Sequence, residues 1–358
     1  PEGPRQCGGH RPRRVTTPLA DLTTLRVGGA PHTLVTAETP ADLIDAVTAA
    51  DATGEPLLIV GGGSNIVVAD DGFPGTVVLD RHRGIDATID SCSGAWVQVQ
   101  AGEPWDDLVA RAVAEGWTGL EALSGIPGLT GATPIQNVGA YGQEVADTIA
   151  RVTAFDRQAG QILTLPAGEC GFGYRASRFK DSPDRYVVLS VTFQLPLGSL
   201  SGPVRYPELA GRLGIDLGER AAMSDVRTAV LDLRRAKGMV LDAADHDTWS
   251  VGSFFTNPIV DPDRIPEGAP QWQQPGGGVK TSAAWLVERA GFPRGYPGAG
   301  AARLSSRHTL AITNQGGATA ADVVDLARSI RSGVRDHFGI TLEPEPRLIG
   351  CSLDSGTQ

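Results

Sequence analysis

Apolar residues recur at helical spacing in several stretches of the 358-residue chain. In the stretch "TPADLIDAVTAADATG", Leu43, Ile44 and Val47 fall on one face of a helix. Thr39 stands before this face as an N-cap, and Gly54 follows it as a C-terminal stop signal. The pattern therefore predicts a helix between these two residues.

Four further stretches have the same helical period. The stretch "EPWDDLVARAVAEG" has a proline near its start and stops at Gly116. In "SDVRTAVLDLRRAKG", Ser224 is the predicted N-cap. The other two are "TSAAWLVERAG" and "ATAADVVDLARSIRSGVRDHFG", and the second has Val323, Leu326 and Ile330 on one face. The C-terminal part is therefore expected to be rich in helices.

Short β-branched runs and one alternating run predict strands between the helices. The runs are "PLLIV", "IVV", "TVVL", "AWVQVQAG", "RVTAF", "QILTL", "RYVVLSVTFQL" and, near the end, "ITLEPEPRLIG". A small α/β unit would end near Asp80, and a strand-rich region would follow it to about Arg205. The expected fold class is therefore α+β.

The composition excludes several classes of protein. Hydrophobic residues make up 41% of the chain and charged residues 20%, as in a globular protein with a core. The net charge of −10 disfavours binding to nucleic acid or to an anionic membrane surface. The longest apolar runs are too short to insert across a bilayer.

The cysteines are scattered and have no metal-binding spacing. They are Cys7, Cys92, Cys170 and Cys351. This usage argues against a metal site and against a disulfide scaffold, and it indicates the reducing cytoplasm. Residues 1–14 resemble a disordered leader without a targeting signal. We also expect the protein to be a monomer.

Two glycine-rich stretches without charged residues are the strongest candidates for a ligand site. The first, "GGGSN", follows a predicted strand and could present backbone N–H groups to phosphate oxygens. It has neither the lysine of a Walker loop nor a Rossmann spacing, and it could equally be a tight turn. The second, "IPGLTGATPIQNVGAYG", spans Ile126 to Gly142 and suits a diphosphate joined to a large planar group.

These stretches and three later motifs resemble one enzyme family. "GGGSN", "IPGxxGxxPIQNxGAYG", "FGYRASRF", "GSFFTNP" and "EPEPRLIG" are similar to motifs of the UDP-N-acetylenolpyruvoylglucosamine reductases (MurB). That family belongs to the vanillyl-alcohol oxidase, or PCMH-type, group of FAD-binding folds. The resemblance implies FAD-binding subdomains at residues 15–80 and 81–206, followed by an α+β substrate-binding domain at 207–358.

The resemblance implies that FAD is bound, without a covalent link, between the two subdomains. The residues that it places on FAD are Gly61, Gly62, Gly63, Ser64, Asn65, Ile126, Gly128, Gly131, Ala132, Asn137, Gly139 and Tyr141. The side chains of Gln136 and Asn137 could recognise polar ring edges, and Tyr141 could pack beside a flat ring.

The implied activity is the NADPH-dependent reduction of UDP-N-acetylglucosamine enolpyruvate to UDP-N-acetylmuramate in peptidoglycan synthesis. Hydride would come from flavin N5 and a proton from Ser253. Arg175 and Glu345 would stabilise the charge that develops on the substrate carboxylate. Each residue could instead be structural, and Glu343 is a near alternative to Glu345.

The same resemblance places several side chains on the substrate. They are Tyr174, Arg178, Tyr206, Lys237 and Asn257, with Lys180 as a further candidate. Lys237 could instead be a cation that stabilises the C-terminus of its helix. His308, in "SSRHTL", is left without a role.

Two other functions remain open. A flavin oxidase or dehydrogenase of the same fold group would keep the glycine-rich stretches but would not need a serine proton donor. A non-catalytic flavin-binding module would need none of Ser253, Arg175 and Glu345. The presence of all three residues favours the reductase.

Overall fold

The computed structural model describes residues 17–274 and 277–354, and its first unit is a parallel three-stranded sheet with one helix. The elements are β1 (Pro31–Ala37), α1 (Pro40–Thr53), β2 (Leu57–Val60), β3 (Ile66–Val68) and β4 (Phe73–Asp80). The strand order is β1-β4-β2, and β3 pairs elsewhere. As predicted, Thr39 caps α1 in a capping box, and Gly54 ends the helix with a left-handed φ of 67°.

The second unit is a five-stranded antiparallel sheet with the strand order β10-β9-β11-β6-β5. Its elements are β5 (Ile85–Asp90), β6 (Gly94–Gln100), α2 (Trp105–Ala114), β7 (Gly139–Ala140), β8 (Gln143–Glu144), β9 (Ile149–Asp156), β10 (Gln161–Pro166), α3 (Arg178–Asp181) and β11 (Tyr186–Leu195). Trp105 and Leu108 of α2 are fully buried in the core of this sheet. The second glycine stretch lies between α2 and β9, as the pattern predicts.

The remaining elements contain four helices and seven short strands within the described residues. They are α4 (Pro207–Leu213), α5 (Met223–Ala236), β12 (Ser250–Ser253), β13 (Ile259–Val260), β14 (Gln271–Gln273), β15 (Val279–Thr281), α6 (Ala283–Arg289), β16 (Ala302–Leu304), β17 (Ala311–Asn314), α7 (Ala320–Phe338) and β18 (Arg347–Ile349). Two antiparallel sheets form, in the orders β12-β17-β16 and β13-β15-β14. Val323, Leu326 and Ile330 of α7 are buried, as predicted.

The end of the chain returns to the first glycine stretch. Strand β18 pairs in parallel with β3, and Arg347 lies opposite Ile66. Because β3 directly follows Asn65, this pairing brings the residues just before β18 beside the "GGGSN" turn. The topology thus joins two parts of the site that are far apart in sequence.

Two local predictions were wrong. Helix α5 begins at Met223 with Ala222 as its N-cap, so Ser224 lies inside the first turn and does not cap it. Met223 is buried, and its packing places the start of the helix earlier than the capping preference of Ser224 predicts. In "ITLEPEPRLIG" only Arg347–Ile349 is a strand. The prolines before it have no backbone N–H group to donate to a neighbouring strand.

Other predictions are not decided by these elements. The predicted leader at 1–14 lies outside the described residues, and the boundaries at 80 and 206 stay predictions. In the part of the chain that is described, every helix is too short or too polar to cross a membrane.

Candidate active site

The first glycine stretch, Gly61–Asn65, links β2 to β3 in an open turn. Within residues 17–274 and 277–354, the backbone N–H groups of Gly62, Gly63 and Ser64 have no acceptor. Gly63 has a left-handed φ of 61°, and a Cβ atom there would lie 2.0 Å from the carbonyl oxygen of Leu22. The turn therefore presents successive free donors, an arrangement that binds phosphate oxygens.

The second glycine stretch packs directly against the first. A Cβ atom on Gly62 would lie 2.7 Å from the Cα atom of Gly128. The Ser64 hydroxyl donates to the carbonyl oxygen of Pro127 at 3.1 Å. Glycine is thus required here by the close approach of two backbones, and that approach makes one continuous surface from two stretches.

The middle of the second stretch packs against the end of β6. The N–H group of Gly131 donates to the carbonyl oxygen of Ala101 at 2.9 Å, and a Cβ atom on Gly131 would lie 2.4 Å from that of Ala101. Ile126 is half-buried, and Ala132 is exposed. Close packing at Gly131 therefore joins the second stretch to the end of β6.

Asn137 holds the second stretch in shape from inside. Its side chain is 1% exposed, and its amide group donates to Glu144 and to the carbonyl oxygen of Gly173. Its side-chain oxygen accepts from the N–H group of Ala146. Because the amide is occupied by the protein, the interpretation that this side chain recognises a ring edge is not supported. Asn137 contributes its left-handed backbone, with a φ of 46°.

Tyr141 lies with residues that were predicted to bind substrate. Its ring meets the ring of Tyr206 edge-on, with centroids 5.4 Å apart. The Lys237 ammonium lies 5.7 Å from the centre of the Tyr141 ring. Burial raises the pKa of Tyr141 to about 12. The contact of Tyr141 with the cofactor stays a prediction.

The predicted pair of Arg175 and Glu345 is present. Arg175 Nε donates to Glu345 Oε1 at 3.0 Å, and Arg175 Nη2 donates to the carbonyl oxygen of Gly139 at 2.8 Å. Arg175 has a φ of 52°, which non-glycine residues rarely adopt, within a tight turn between Gly173 and Ala176. Arg175 Nη1 also donates to the carbonyl oxygen of Asn137 at 3.3 Å, so the turn and three acceptors fix the direction of the guanidinium.

Backbone contacts hold Glu345 beside both glycine stretches. Its N–H group donates to the carbonyl oxygen of Phe254, and its own carbonyl oxygen accepts from Asn65 at 3.4 Å. The same Asn65 amide donates to Gln136 at 2.8 Å. Burial raises the pKa of the Glu345 carboxyl, and the Arg175 guanidinium opposes that shift only in part. The Glu345 carboxyl is thus more easily protonated than the carboxyl of an exposed glutamate.

Glu343, the alternative acid, is placed differently. Its side chain is 68% exposed, and its carboxylate lies 3.8 Å from Arg331. Glu345 is the acid that contacts Arg175. The geometry therefore favours Glu345 over Glu343 as the acidic partner.

Ser253 meets a histidine to which the sequence assigned no role. Ser253 Oγ and His308 Nε2 are 3.2 Å apart, because β12 pairs with β17 and the turn before β17 carries His308. Burial, together with the charges of Lys237, Arg294 and Arg234, lowers the pKa of His308 to about 4. The imidazole is therefore neutral near pH 7, and it has one donor and one acceptor nitrogen.

One group of predicted substrate residues surrounds a cleft of about 420 Å³. Tyr174, Lys180 and Asn257 line this cleft beside Arg175. Lys280 of β15, which the sequence analysis missed, has its ammonium 4.4 Å from the centre of the Tyr174 ring. Burial and the charge of Arg175 lower the pKa of Lys280. No local signal marks this lysine, because its partner comes from a distant part of the chain.

The other group lies at the N-terminus of α4. Tyr206 precedes this helix and is 40% exposed. Lys237 follows α5 and pairs with Glu208 of α4 at 2.5 Å. Arg178 begins α3, and among the described residues no hydrogen bond or ion pair joins its side chain to either group. The predicted substrate residues thus form two separate groups, with Arg178 in neither.

Comparison with known proteins identifies the family. The model for "UDP-N-acetylenolpyruvoylglucosamine reductase, C-terminal domain" matches residues 244–349, and the model for "FAD binding domain" matches residues 31–166. The UDP-N-acetylenolpyruvoylglucosamine reductase of Cutibacterium acnes is 57% identical, and the match covers 94% of this chain and 90% of that protein. The chain belongs to the UDP-N-acetylenolpyruvoylglucosamine reductase family.

Further members agree with this assignment. The reductase of Salinispora arenicola is 54% identical, over 94% of this chain and 95% of that protein. The crystal structure of MurB from Thermus caldophilus matches with a TM-score of 0.64 and 27% identity, over 93% of this chain and 97% of that one. The family resemblance, the α+β class with an N-terminal FAD-binding domain, and the assignment to FAD-binding oxidoreductases are confirmed. The residue roles stay predictions.

Proposed function

We propose that the protein reduces UDP-N-acetylglucosamine enolpyruvate to UDP-N-acetylmuramate, with NADPH as reductant, during peptidoglycan synthesis in the cytoplasm. This reduction adds a hydride and a proton across a double bond that carries a carboxylate. The observation that supports it most strongly is the contact of Arg175 with Glu345 beside the two glycine stretches. The N–H group of Glu345 donates to Phe254, the residue that follows Ser253. A cation, an acid and a hydroxyl are the groups that such a reaction requires.

The two glycine stretches fit FAD. The successive N–H groups of Gly62, Gly63 and Ser64 suit the oxygens of a diphosphate. The close contact of Gly62 with Gly128 leaves a backbone surface on which a large planar group can lie. Bound FAD would supply the hydride chemistry, with NADPH as the source of electrons.

Arg175 and Glu345 would act together on the substrate carboxylate. A guanidinium is a planar donor that matches a carboxylate, and the turn around Arg175 orients it in advance. The raised pKa of Glu345 favours its protonated form, which would donate a hydrogen bond as negative charge grows on the carboxylate. The two residues would thus lower the free energy of the charged transition state.

Ser253 would donate the proton to the carbon that bears the carboxylate. A serine hydroxyl is a weak acid, so the oxygen that remains needs a hydrogen-bond donor. Neutral His308 can donate from Nε2 across the 3.2 Å contact, and water would then restore the serine proton. In this role His308 orients and stabilises the Ser253 oxygen.

The test is a purification followed by a turnover assay. We expect the protein to carry yellow, extractable FAD and to oxidise NADPH only when UDP-N-acetylglucosamine enolpyruvate is present. NADPH oxidation without that substrate, accompanied by peroxide, would instead support a flavin oxidase. Bound flavin with no turnover would support a non-catalytic flavin-binding module.

A further inference from the structure

An exposed ion pair lies beside the Ser253–His308 contact. Lys237 Nζ and Glu208 Oε2 are 2.5 Å apart, and the two side chains are 31% and 40% exposed. The charges of Lys237 and Glu208 both act on the His308 imidazole. The pair therefore lies within electrostatic reach of the hydroxyl that would protonate the substrate.

The surroundings of this pair are rich in positive charge. Arg234 is almost fully buried and donates to the carbonyl oxygens of Gly125 and Met239. Arg294 adds a further charge that acts on His308. Glu208 is the acidic residue among the charges that act on this histidine. The Glu208 carboxylate therefore lies where an anionic ligand would bind among these cations.

Glu208 can leave Lys237 without a movement of its helix. Leu209 and Ala210, the next two residues of α4, are buried against Val226 and Val230 of α5. These contacts anchor α4, whereas the Glu208 side chain extends into solvent. An exposed ion pair of this kind is weak, so a change of side-chain rotamer is enough to open it.

We infer that Glu208 is a specificity-determining residue: it occupies Lys237 in the substrate-free protein, and a ligand diphosphate must displace it to bind. This inference rests on the proposed function, because it takes Lys237 as a diphosphate contact. A ligand that carries negative charge replaces the carboxylate and restores the ion pair. A neutral ligand leaves Lys237 paired with Glu208, so Glu208 weakens the binding of charged ligands at this position and leaves the binding of uncharged ones unchanged.

The experiment measures the Kd of uridine diphosphate and of uridine for the FAD-containing protein by titration calorimetry. Glu208→Gln removes the competing charge, and we expect it to bind uridine diphosphate about three- to tenfold more tightly than the wild type. Binding of uridine should change by less than about twofold. In a Lys237→Met background, Glu208→Gln should no longer improve the Kd, because the cation for which it competes is gone.

A second ion pair between the same helices provides the control. Arg212 of α4 and Asp232 of α5 are 2.8 Å apart and similarly exposed. Asp232→Asn removes one negative charge and one contact between α4 and α5, but it leaves Lys237 paired. An equal gain in this variant would overturn the inference, because general charge or helix mobility would then explain the effect.

The outcome can be separated from a failure of the proposed function. If the wild type turns over UDP-N-acetylglucosamine enolpyruvate but Glu208→Gln binds uridine diphosphate no better, the inference about Glu208 is wrong. If the wild type shows no turnover with that substrate, the proposed function is wrong. Glu208→Asp, which keeps the charge on a shorter side chain, should give a smaller gain than Glu208→Gln.

Discussion

The surface predicted to hold the cofactor and the predicted catalytic set are built in opposite ways. Two continuous stretches of chain form the cofactor surface, and backbone atoms provide its donors and its close contacts. The predicted catalytic set consists of Arg175 in a tight turn, Ser253 at the end of β12, and Glu345 in the segment before β18. Local sequence therefore identifies the first region, whereas chain topology assembles the second.

Two side chains connect the two regions. Arg175 donates to two carbonyl oxygens of the second glycine stretch. Asn65 belongs to the first glycine stretch, donates to Gln136 of the second, and donates to the carbonyl oxygen of Glu345. Backbone pairing of β3 with β18 keeps Glu345 at this place. A change in either region should therefore leave the other largely intact, except at these contacts.

The largest effect is expected in the catalytic set. Arg175→Lys keeps the charge but loses the planar group that reaches both Glu345 and the carbonyl oxygen of Gly139. We expect kcat/KM to fall roughly 10²- to 10³-fold with the flavin still bound. Steady-state kinetics and the flavin absorbance measure these two quantities.

Arg185→Lys is the matched control for that variant. Arg185 donates from Nε and Nη2 to the Asp156 carboxylate, but it lies outside the site. Activity in this control should stay within about twofold of wild type. If Arg175→Lys were equally active, Arg175 would have no role in transition-state stabilisation.

The second prediction concerns a variant that disrupts only the predicted cofactor surface. Gly63→Ala would place a Cβ atom 2.0 Å from the carbonyl oxygen of Leu22, at a φ of 61°. We expect the protein to lose its flavin and about 3 kcal/mol of unfolding free energy. Gly54→Ala has a similar φ of 67° but no atom within 4 Å, and it should retain flavin at a cost of about 1 kcal/mol. Equal losses in both variants would show that φ, and not the close contact, decides the outcome.

The third prediction concerns pH. The pKa of His308 is about 4 in the folded protein and about 6.5 in the unfolded chain, so the unfolded chain binds more protons between these values. Stability is therefore lost as the pH falls from 6.5 towards 4, by about 2 kcal/mol between pH 7.5 and pH 5. Urea unfolding at the two pH values should show a smaller difference in His308→Gln. An unchanged difference in that variant would assign the pH dependence to other groups.

The smallest effect is expected at the contact that Asn65 makes between the regions. Asn65→Ala removes the hydrogen bonds to Gln136 and to Glu345, and we expect a loss of about 1 kcal/mol in stability. Flavin affinity and kcat should both fall by a few-fold, about two to five. Gln136→Ala removes only the first of the two bonds, so it should affect flavin affinity more than kcat. The reverse order would contradict the connecting role of Asn65.

The sequence predicts elements well where the local signal and the packing agree. The capping box at Thr39 and the left-handed Gly54 follow from residue type, and both are present. Ser224 also has the type of an N-cap, but the burial of Met223 moves the helix start. Packing against distant residues is the information that the local pattern lacks.

The same limit applies to the site. Ser253, Arg175 and Glu345 were chosen from motifs, and the structure brings Arg175 into contact with Glu345. His308 and Lys280 were missed, because their contacts depend on the pairing of β12 with β17 and on the packing of β15 beside Tyr174. Their pKa shifts arise from burial, which no short motif encodes.

We propose that Ser253 donates the proton to the substrate while the flavin surface operates separately. Stopped-flow absorbance of Ser253→Ala can follow flavin reduction by NADPH and then flavin reoxidation by UDP-N-acetylglucosamine enolpyruvate. We predict a normal rate of reduction and a reoxidation rate lowered roughly 10²- to 10⁴-fold. An equal loss in both half-reactions, or normal reoxidation, would show that Ser253 is not the proton donor.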